Sequence, residues 1–261
     1  MQLIETEDNV GFLTASYVKN RIKAFVPTAK KPYFVLALPT GGTAVDLYKN
    51  LVRFNQENSL NFENVVTFNL DEYVALPVTH PQSYHSFMAH NLFDHIKINE
   101  NQINILNGNA ENLEQECLEY EQKIKKYGGI DLFIGGVGQN GHIAFNEPGS
   151  AVDSGTRVVE LTADTISANS RFFKGDTSLV PTRALTMGLG TIMEAKEIII
   201  MATGTKKSQA LYHAFEDKPN TNWPITVLQS HPRSFIIADK SAAAEISSSI
   251  KRTCGACSFL K

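Results

Sequence analysis

Tyr33-Phe-Val-Leu-Ala-Leu-Pro-Thr-Gly-Gly-Thr43 decides the architecture of this chain. Its first six residues are almost continuously apolar, the pattern of a strand covered on both faces within a parallel sheet. Pro39-Thr-Gly-Gly-Thr43 interrupts the run, and Ala44 to Val52 then reads as a helix with Val45, Tyr48 and Leu51 or Val52 on one face. The same grammar recurs downstream. Val65 to Leu70, Ile130 to Ile134, Glu197 to Met201 and Phe235 to Ala238 read as further strands, and Glu111 to Lys126 and Lys206 to Phe215 have helical composition. Strands separated by helices of this length require crossover connections. The expected fold class is therefore α/β, a mostly parallel sheet with helices on both faces. Ser241 to Ile250 is polar on one side and is expected to form a surface helix. No internal repeat, low-complexity stretch or linker divides the chain, so residues 1–261 are expected to form a single domain.

Bulk composition narrows the function classes. A chain of 261 residues can bury a large core without a disulfide or metal staple. Hydrophobic residues make up 43% and charged residues 20%, values ordinary for a soluble globular protein. With 24 basic against 27 acidic residues the net charge is −3, which offers no global grip on a nucleic-acid backbone. No apolar run approaches the ~20 residues that span a bilayer. The opening MQLIETEDNV is acidic and lacks the order of a signal peptide, and three cysteines fit a reducing compartment. A cytoplasmic protein with neither a nucleic-acid nor a membrane partner is expected.

Ligands in open parallel sheets sit beyond the carboxyl ends of the strands, so the segments after the strands are the places to look for chemistry. The Gly41-Gly42 pair with Thr43 can present backbone N–H groups to an anion at a helix start. No lysine follows in the order of a nucleotide P-loop, and an ordinary strand-to-helix turn is the plain alternative. Gly136, Gly138 and Gly141 match the G-x-G-x-x-G spacing of dinucleotide sites, but His142-Ile-Ala-Phe-Asn-Glu-Pro148 cannot open the helix such a site needs. These glycines are expected to let backbone lie close to a ligand. The same loop carries His142 with Glu147 and Asn140 nearby, a proton-shuttling group with a candidate orienting acid. A histidine satisfied by its own loop backbone is the competing reading. Asp71, in Asp71-Glu72 after an apolar strand, is either a partly desolvated base or a helix cap, and spacing leaves both open. Arg171, beside Phe172 and Phe173, and Lys207, at another helix start, are candidate phosphate partners or else solvated surface charges. Cys254-Gly-Ala-Cys257 lacks the H-x-E and P-C-x-x-C of zinc deaminases, and His80 and His85 lack ligand-like spacing, so no metal is expected.

Taken together, Leu38-Pro-Thr-Gly-Gly-Thr43, Phe68-Asn-Leu-Asp-Glu-Tyr-Val74, the Gly135 to Pro148 loop, Asn169-Ser-Arg-Phe-Phe173 and Ala184-Leu-Thr-Met-Gly-Leu-Gly-Thr191 resemble the isomerising glucosamine-6-phosphate deaminase family, in order and from Met1 to about Lys240. The resemblance implies a modified Rossmann-like fold and an enzyme of amino-sugar catabolism and N-acetylglucosamine utilisation. That enzyme converts D-glucosamine 6-phosphate and water to D-fructose 6-phosphate and ammonia without metal or organic cofactor. It implies that Asp71 moves a proton between C2 and C1 of the open-chain sugar, that His142 assisted by Glu147 serves ring opening, and that Gly41, Gly42, Thr43, Arg171 and Lys207 bind the 6-phosphate. A sugar phosphate is the implied small-molecule partner and a homo-oligomer the implied assembly. Asn140 stands where many members carry an acid, and an asparagine orients an imidazole without adding charge. Allosteric members use a basic stretch that here reads Thr156-Arg-Val-Val-Glu160, with Val159 in place of a lysine. The rival readings are a 6-phosphogluconolactonase-like hydrolase on the same fold and a non-catalytic sugar-phosphate sensor. The first would not need Asp71 as a carbon-acid base; the second would be expected to lose Asp71 and His142.

Overall fold

A computed structural model describes residues 1–7 and 9–250, together with the backbone of 252–254; Cys257 of the C-x-x-C pair lies outside the described residues. The chain runs β1 (Gln2–Thr6), α1 (Val10–Ala24), β2 (Phe34–Leu38), α2 (Gly42–Gln56), β3 (Val65–Asn69), β4 (Asp71–Tyr73), α3 (Tyr84–Asn91), β5 (Ile103–Asn104) and α4 (Leu113–Lys126). It continues through β6 (Leu132–Gly136), β7 (Arg157–Glu160), α5 (Ala163–Asn169), β8 (Arg183–Thr186), α6 (Leu189–Met193), β9 (Ile198–Ala202), α7 (Ser208–Glu216), β10 (Ser234–Asp239) and β11 (Arg252–Cys254). The main sheet has the order β11-β1-β10-β9-β6-β2-β3-β5, and its neighbouring strands all pair in parallel.

The near-continuous apolar strands have the physical cause the sequence pattern suggests. All five residues of β2, β3 and β9 are buried, because helices cover both faces. Leu36 and Leu38 pack with Leu13 and Val18 of α1, Leu47 and Leu51 of α2 and Met88 of α3. Val35 and Ala37 face the other way, toward Tyr120 and Ile124 of α4, Ile192 of α6 and Leu211 and Ala214 of α7. Each fully buried Leu or Ile contributes about 1.5–3 kcal/mol, so both layers are needed to hold the sheet.

Two features depart from the sequence expectation. Ser241 to Ile250 forms successive turns and no helix. Ala242 and Ala243 are buried, Asp239 accepts from the Ala242 N–H at 2.7 Å, and the Ser249 N–H donates to the Ser247 hydroxyl. Serines that bond to their own backbone offer the chain an alternative to helix, and here that alternative prevails. The second departure is an additional antiparallel sheet, β4-β8-β7, unmarked in the sequence because its strands are three or four residues long. A separate apolar cluster lies against it: Tyr73, Leu76, Phe145, Leu161, Phe173 and Val180, with Ala184.

Candidate active site

The strands β9, β6, β2 and β3 are neighbours in the main sheet, and the candidate segments follow their carboxyl ends. Gly41 caps α2 with φ at +94°, a conformation that strains any residue with a Cβ. A Cβ added at Gly41 or Gly42 would meet nothing within 4 Å, so space opens directly over the turn. No side chain caps this helix, which leaves its first N–H groups and the positive end of its dipole facing that space. Tyr48 fastens the turn from below by donating its hydroxyl to the Pro39 carbonyl.

Asp71 and Glu72 are both buried, yet their surroundings differ completely. Glu72 accepts from the backbone N–H groups of Tyr73 at 2.8 Å, Tyr84 at 3.0 Å and His85 at 3.1 Å, and it meets His85 Nδ1 at 2.9 Å. It therefore anchors the start of α3, whose N-cap is Ser83. The capping role that Asp71 could have filled is taken by these two residues. Asp71 Oδ1 is buried with no hydrogen-bond partner among the described residues. Burial first, and then the neighbouring Glu72 charge, push the Asp71 carboxyl up to about 8. A carboxyl at that value is a strong base in its ionised fraction, which grows as pH approaches 8 and can then take a proton from carbon.

The loop after β6 is built around the His142 ring. A Cβ on Gly138 would lie 2.2–2.4 Å from that ring, and one on Gly141, at φ +80°, would lie 2.9 Å from Trp223. These two glycines thus make room for protein groups, in place of the ligand approach expected from sequence; Gly136 alone faces open space. His142 Nδ1 lies 3.5 Å from Glu147 Oε2, within ion-pair range but outside hydrogen-bond geometry. The loop backbone does not satisfy that nitrogen. Asn140 donates to Glu147 at 2.7 Å and accepts from the His142 backbone N–H at 3.3 Å, so it orients the acid and the main chain and leaves the imidazole alone. Thr165 donates to the other Glu147 oxygen. Burial opposes ionisation of Glu147, but His142, Thr165 and Asn140 outweigh it and hold the carboxyl down at about 2. The buried Asn146 secures the loop by donating to the Ile143 and Met187 carbonyls while accepting from Arg157 at 2.8 Å.

Arg171 is exposed, with its guanidinium 4.6 Å from the Phe172 ring centre. Lys207 is half-buried; burial, then the charges of Arg171 and Lys206, lower its pKa. Neither Arg171 nor Lys207 is ion-paired among the described residues, so two cations feel one another without a carboxylate to neutralise them. Aromatic side chains tie the pieces together. Tyr73 lies 5.0 Å from Tyr84, 6.0 Å from Phe145 and 5.9 Å from Phe173, and Asn169 donates to its hydroxyl at 2.9 Å. Burial, and then the neighbouring Tyr73 and Asp71, push the Tyr84 hydroxyl well above its ordinary value. Residue type alone does not single out Glu72, Thr165, Tyr73 or Tyr84; Ser83, a favoured N-cap type, is the sequence signal for the helix start that Glu72 anchors.

The profile of the family described as glucosamine-6-phosphate isomerases/6-phosphogluconolactonase matches residues 5–237. A glucosamine-6-phosphate deaminase of Borreliella afzelii is 53% identical over 241 residues, covering 92% of this chain and 90% of its own length. One from Parabacteroides distasonis is 54% identical over 232 residues, covering 89% and 86%. Among solved structures, a monomeric glucosamine-6-phosphate deaminase superposes with a TM-score of 0.85 at 38% identity, covering 94% of this chain and all of its own. A 6-phosphogluconolactonase from Thermotoga maritima gives 0.72 at 19% identity, over 92% of this chain and all of its own, a likeness of fold alone.

Proposed function

The chain belongs to the glucosamine-6-phosphate isomerase/6-phosphogluconolactonase family, and on that premise we propose how its residues divide the work of the reaction. The chain is an aldose–ketose isomerising deaminase that converts D-glucosamine 6-phosphate and water to D-fructose 6-phosphate and ammonia. In our reading the N–H groups of Gly41, Gly42 and Thr43, together with Arg171 and Lys207, hold the 6-phosphate. A dianion there would neutralise two cations that have no carboxylate partner among the described residues. His142 moves the proton between O5 and O1 as the ring opens, with Glu147 balancing the charge of its imidazolium and Asn140 and Thr165 holding Glu147 in place. Asp71 then takes the proton from one of C1 and C2 and returns it to the other, and addition of water at C2 expels ammonia.

The single observation that carries this assignment is the buried, unpartnered Asp71 oxygen beside a neighbour fully committed to structure. Ammonia release from glucosamine 6-phosphate tests it, with 6-phosphogluconolactone as the competing substrate. Lactone hydrolysis without ammonia would favour the hydrolase reading, and binding without turnover the sensor. We further read residues 1–261 as one domain working in the cytoplasm in N-acetylglucosamine utilisation; a main sheet drawing strands from Gln2 to Cys254 supports the first part. The homo-oligomer implied by resemblance has a monomeric counterexample among the structural neighbours, and sedimentation velocity decides it.

A further inference from the structure

At the amino ends of the strands, the pole away from the candidate active site, two buried carboxylates each collect two cations. Glu197, just before β9, has a side chain only 3% exposed. It meets Arg21 of α1 at 2.7 Å, Arg233 at 2.9 Å and the Tyr17 hydroxyl at 2.7 Å. Asp131, just before β6, meets Lys31 at 2.9 Å and Lys196 at 2.7 Å, and accepts from the Val35 N–H. One cation would neutralise each acid, so the cluster holds two positive charges in excess within a chain of net charge −3. Both acids are nearly buried, whereas the side chains of Arg21, Lys196 and Arg233 are 38%, 58% and 56% exposed. These three cations, together with Glu197 and Asp131, line a cavity of about 500 Å³ whose other wall is Phe25, Val26 and Phe34. That size lies within the range of small-molecule sites, and guanidiniums beside apolar surface suit an anionic head on an organic body.

We propose that this cavity binds a small phosphorylated metabolite, its phosphoryl dianion met by Arg21, Arg233 and Lys196 and its organic part lying against Phe25, Val26 and Phe34. The dianion meets an excess of one positive charge among the lining residues and of two when Lys31, paired with Asp131, is included. The organic part uses the apolar wall, so the phosphoryl group alone binds more weakly. None of these residues belongs to the machinery assigned to Asp71 and His142, and the site stands or falls separately from that reading.

Calorimetric titration of the whole protein with adenosine 5′-monophosphate tests the proposal, with inorganic phosphate as the head group alone. Ala24→Trp fills the cavity mouth without touching an ion pair, and Lys196→Ala removes one cation while Lys31 still serves Asp131. The expected result is one nucleotide per chain, bound about tenfold or more tighter than phosphate and about tenfold weaker in each variant, with affinity falling as salt rises. Lys207→Ala should leave this binding unchanged. Equal binding in wild type and Ala24→Trp, loss of binding in Lys207→Ala, or no heat at millimolar nucleotide would each overturn it.

Discussion

Replacing Asp71 with Asn should stabilise the protein while abolishing its turnover, and the gain should grow with pH. Burial, and then Glu72, raise the Asp71 carboxyl from 3.8 to about 8. A group whose pKa is raised on folding favours the folded state below its unfolded pKa, near 4, and that contribution is lost as pH rises through about 8. Between pH 5 and pH 8 the unfolded chain carries an ionised Asp71 while the folded chain still holds its proton. Each unit in that window removes about 1.4 kcal/mol, so the wild type should lose about 4 kcal/mol relative to Asp71→Asn across it. Asn is neutral throughout and keeps the shape. Urea unfolding of both proteins at pH 5, 6.5 and 8 measures the gap, and the acid limb of kcat/KM should fall near pH 8 in the wild type alone. Fructose 6-phosphate should still bind the variant. A stability gap that stays constant with pH would refute the desolvated-base argument, and near-normal turnover would refute the assignment of Asp71.

Lys207→Ala or Arg171→Ala should raise KM about tenfold or more while kcat changes less, because a charge-assisted phosphate contact is lost; unchanged affinity for both sugar phosphates would remove them from the site. Glu147→Gln should lower kcat by about 10²–10⁴, since the His142 imidazolium loses its balancing charge, and steady-state assay of glucosamine 6-phosphate against wild type checks this. Gly138→Ala places a methyl 2.2 Å from the His142 ring and should cost at least about a hundredfold in kcat while the protein still folds; wild-type activity would show that the ring position is unimportant. N-acetylglucosamine 6-phosphate should activate weakly or not at all. Arg157 is already bonded to Asn146, Ser150 and Ser154, and Val159 packs against the apolar cluster near β4, so a sigmoidal saturation curve made hyperbolic by this compound would contradict the expectation.

The parts of the fold that were legible are those where one local signal dominates. Phe34–Leu38 announces a doubly covered strand, and Gly41-Gly42 announces the turn that follows it. The antiparallel sheet was illegible because its strands are three or four residues long and Asp71–Tyr73 pairs with Arg183–Thr186 across more than a hundred residues of chain, so no periodicity is left to read. Ser241 to Ile250 misled for the opposite reason: its pattern was helical, but backbone-seeking serines and an Asp239 cap favour turns. At the site, residue types pointed to Asp71, His142 and Glu147, but not to which acid of Asp71-Glu72 stays free. That distinction depends on the N–H groups of Tyr84 and His85, which only the folded chain brings to Glu72.

β4 follows β3 after the single residue Leu70, whose carbonyl accepts from the Met187 N–H, and Asp71 then stands opposite Thr186. Adjacent side chains on a strand point to opposite sides, so a slip of one position would exchange Asp71 and Glu72. The base would then be buried in the anchor of α3, and the anchoring acid would face the substrate. This three-residue strand therefore acts as a ruler. Side chains along it can be exchanged at some cost, but gaining or losing one residue between Leu70 and Tyr73 would invert the roles of two carboxylates at once, which makes this short strand far less tolerant of a change in length than of a change in side chain.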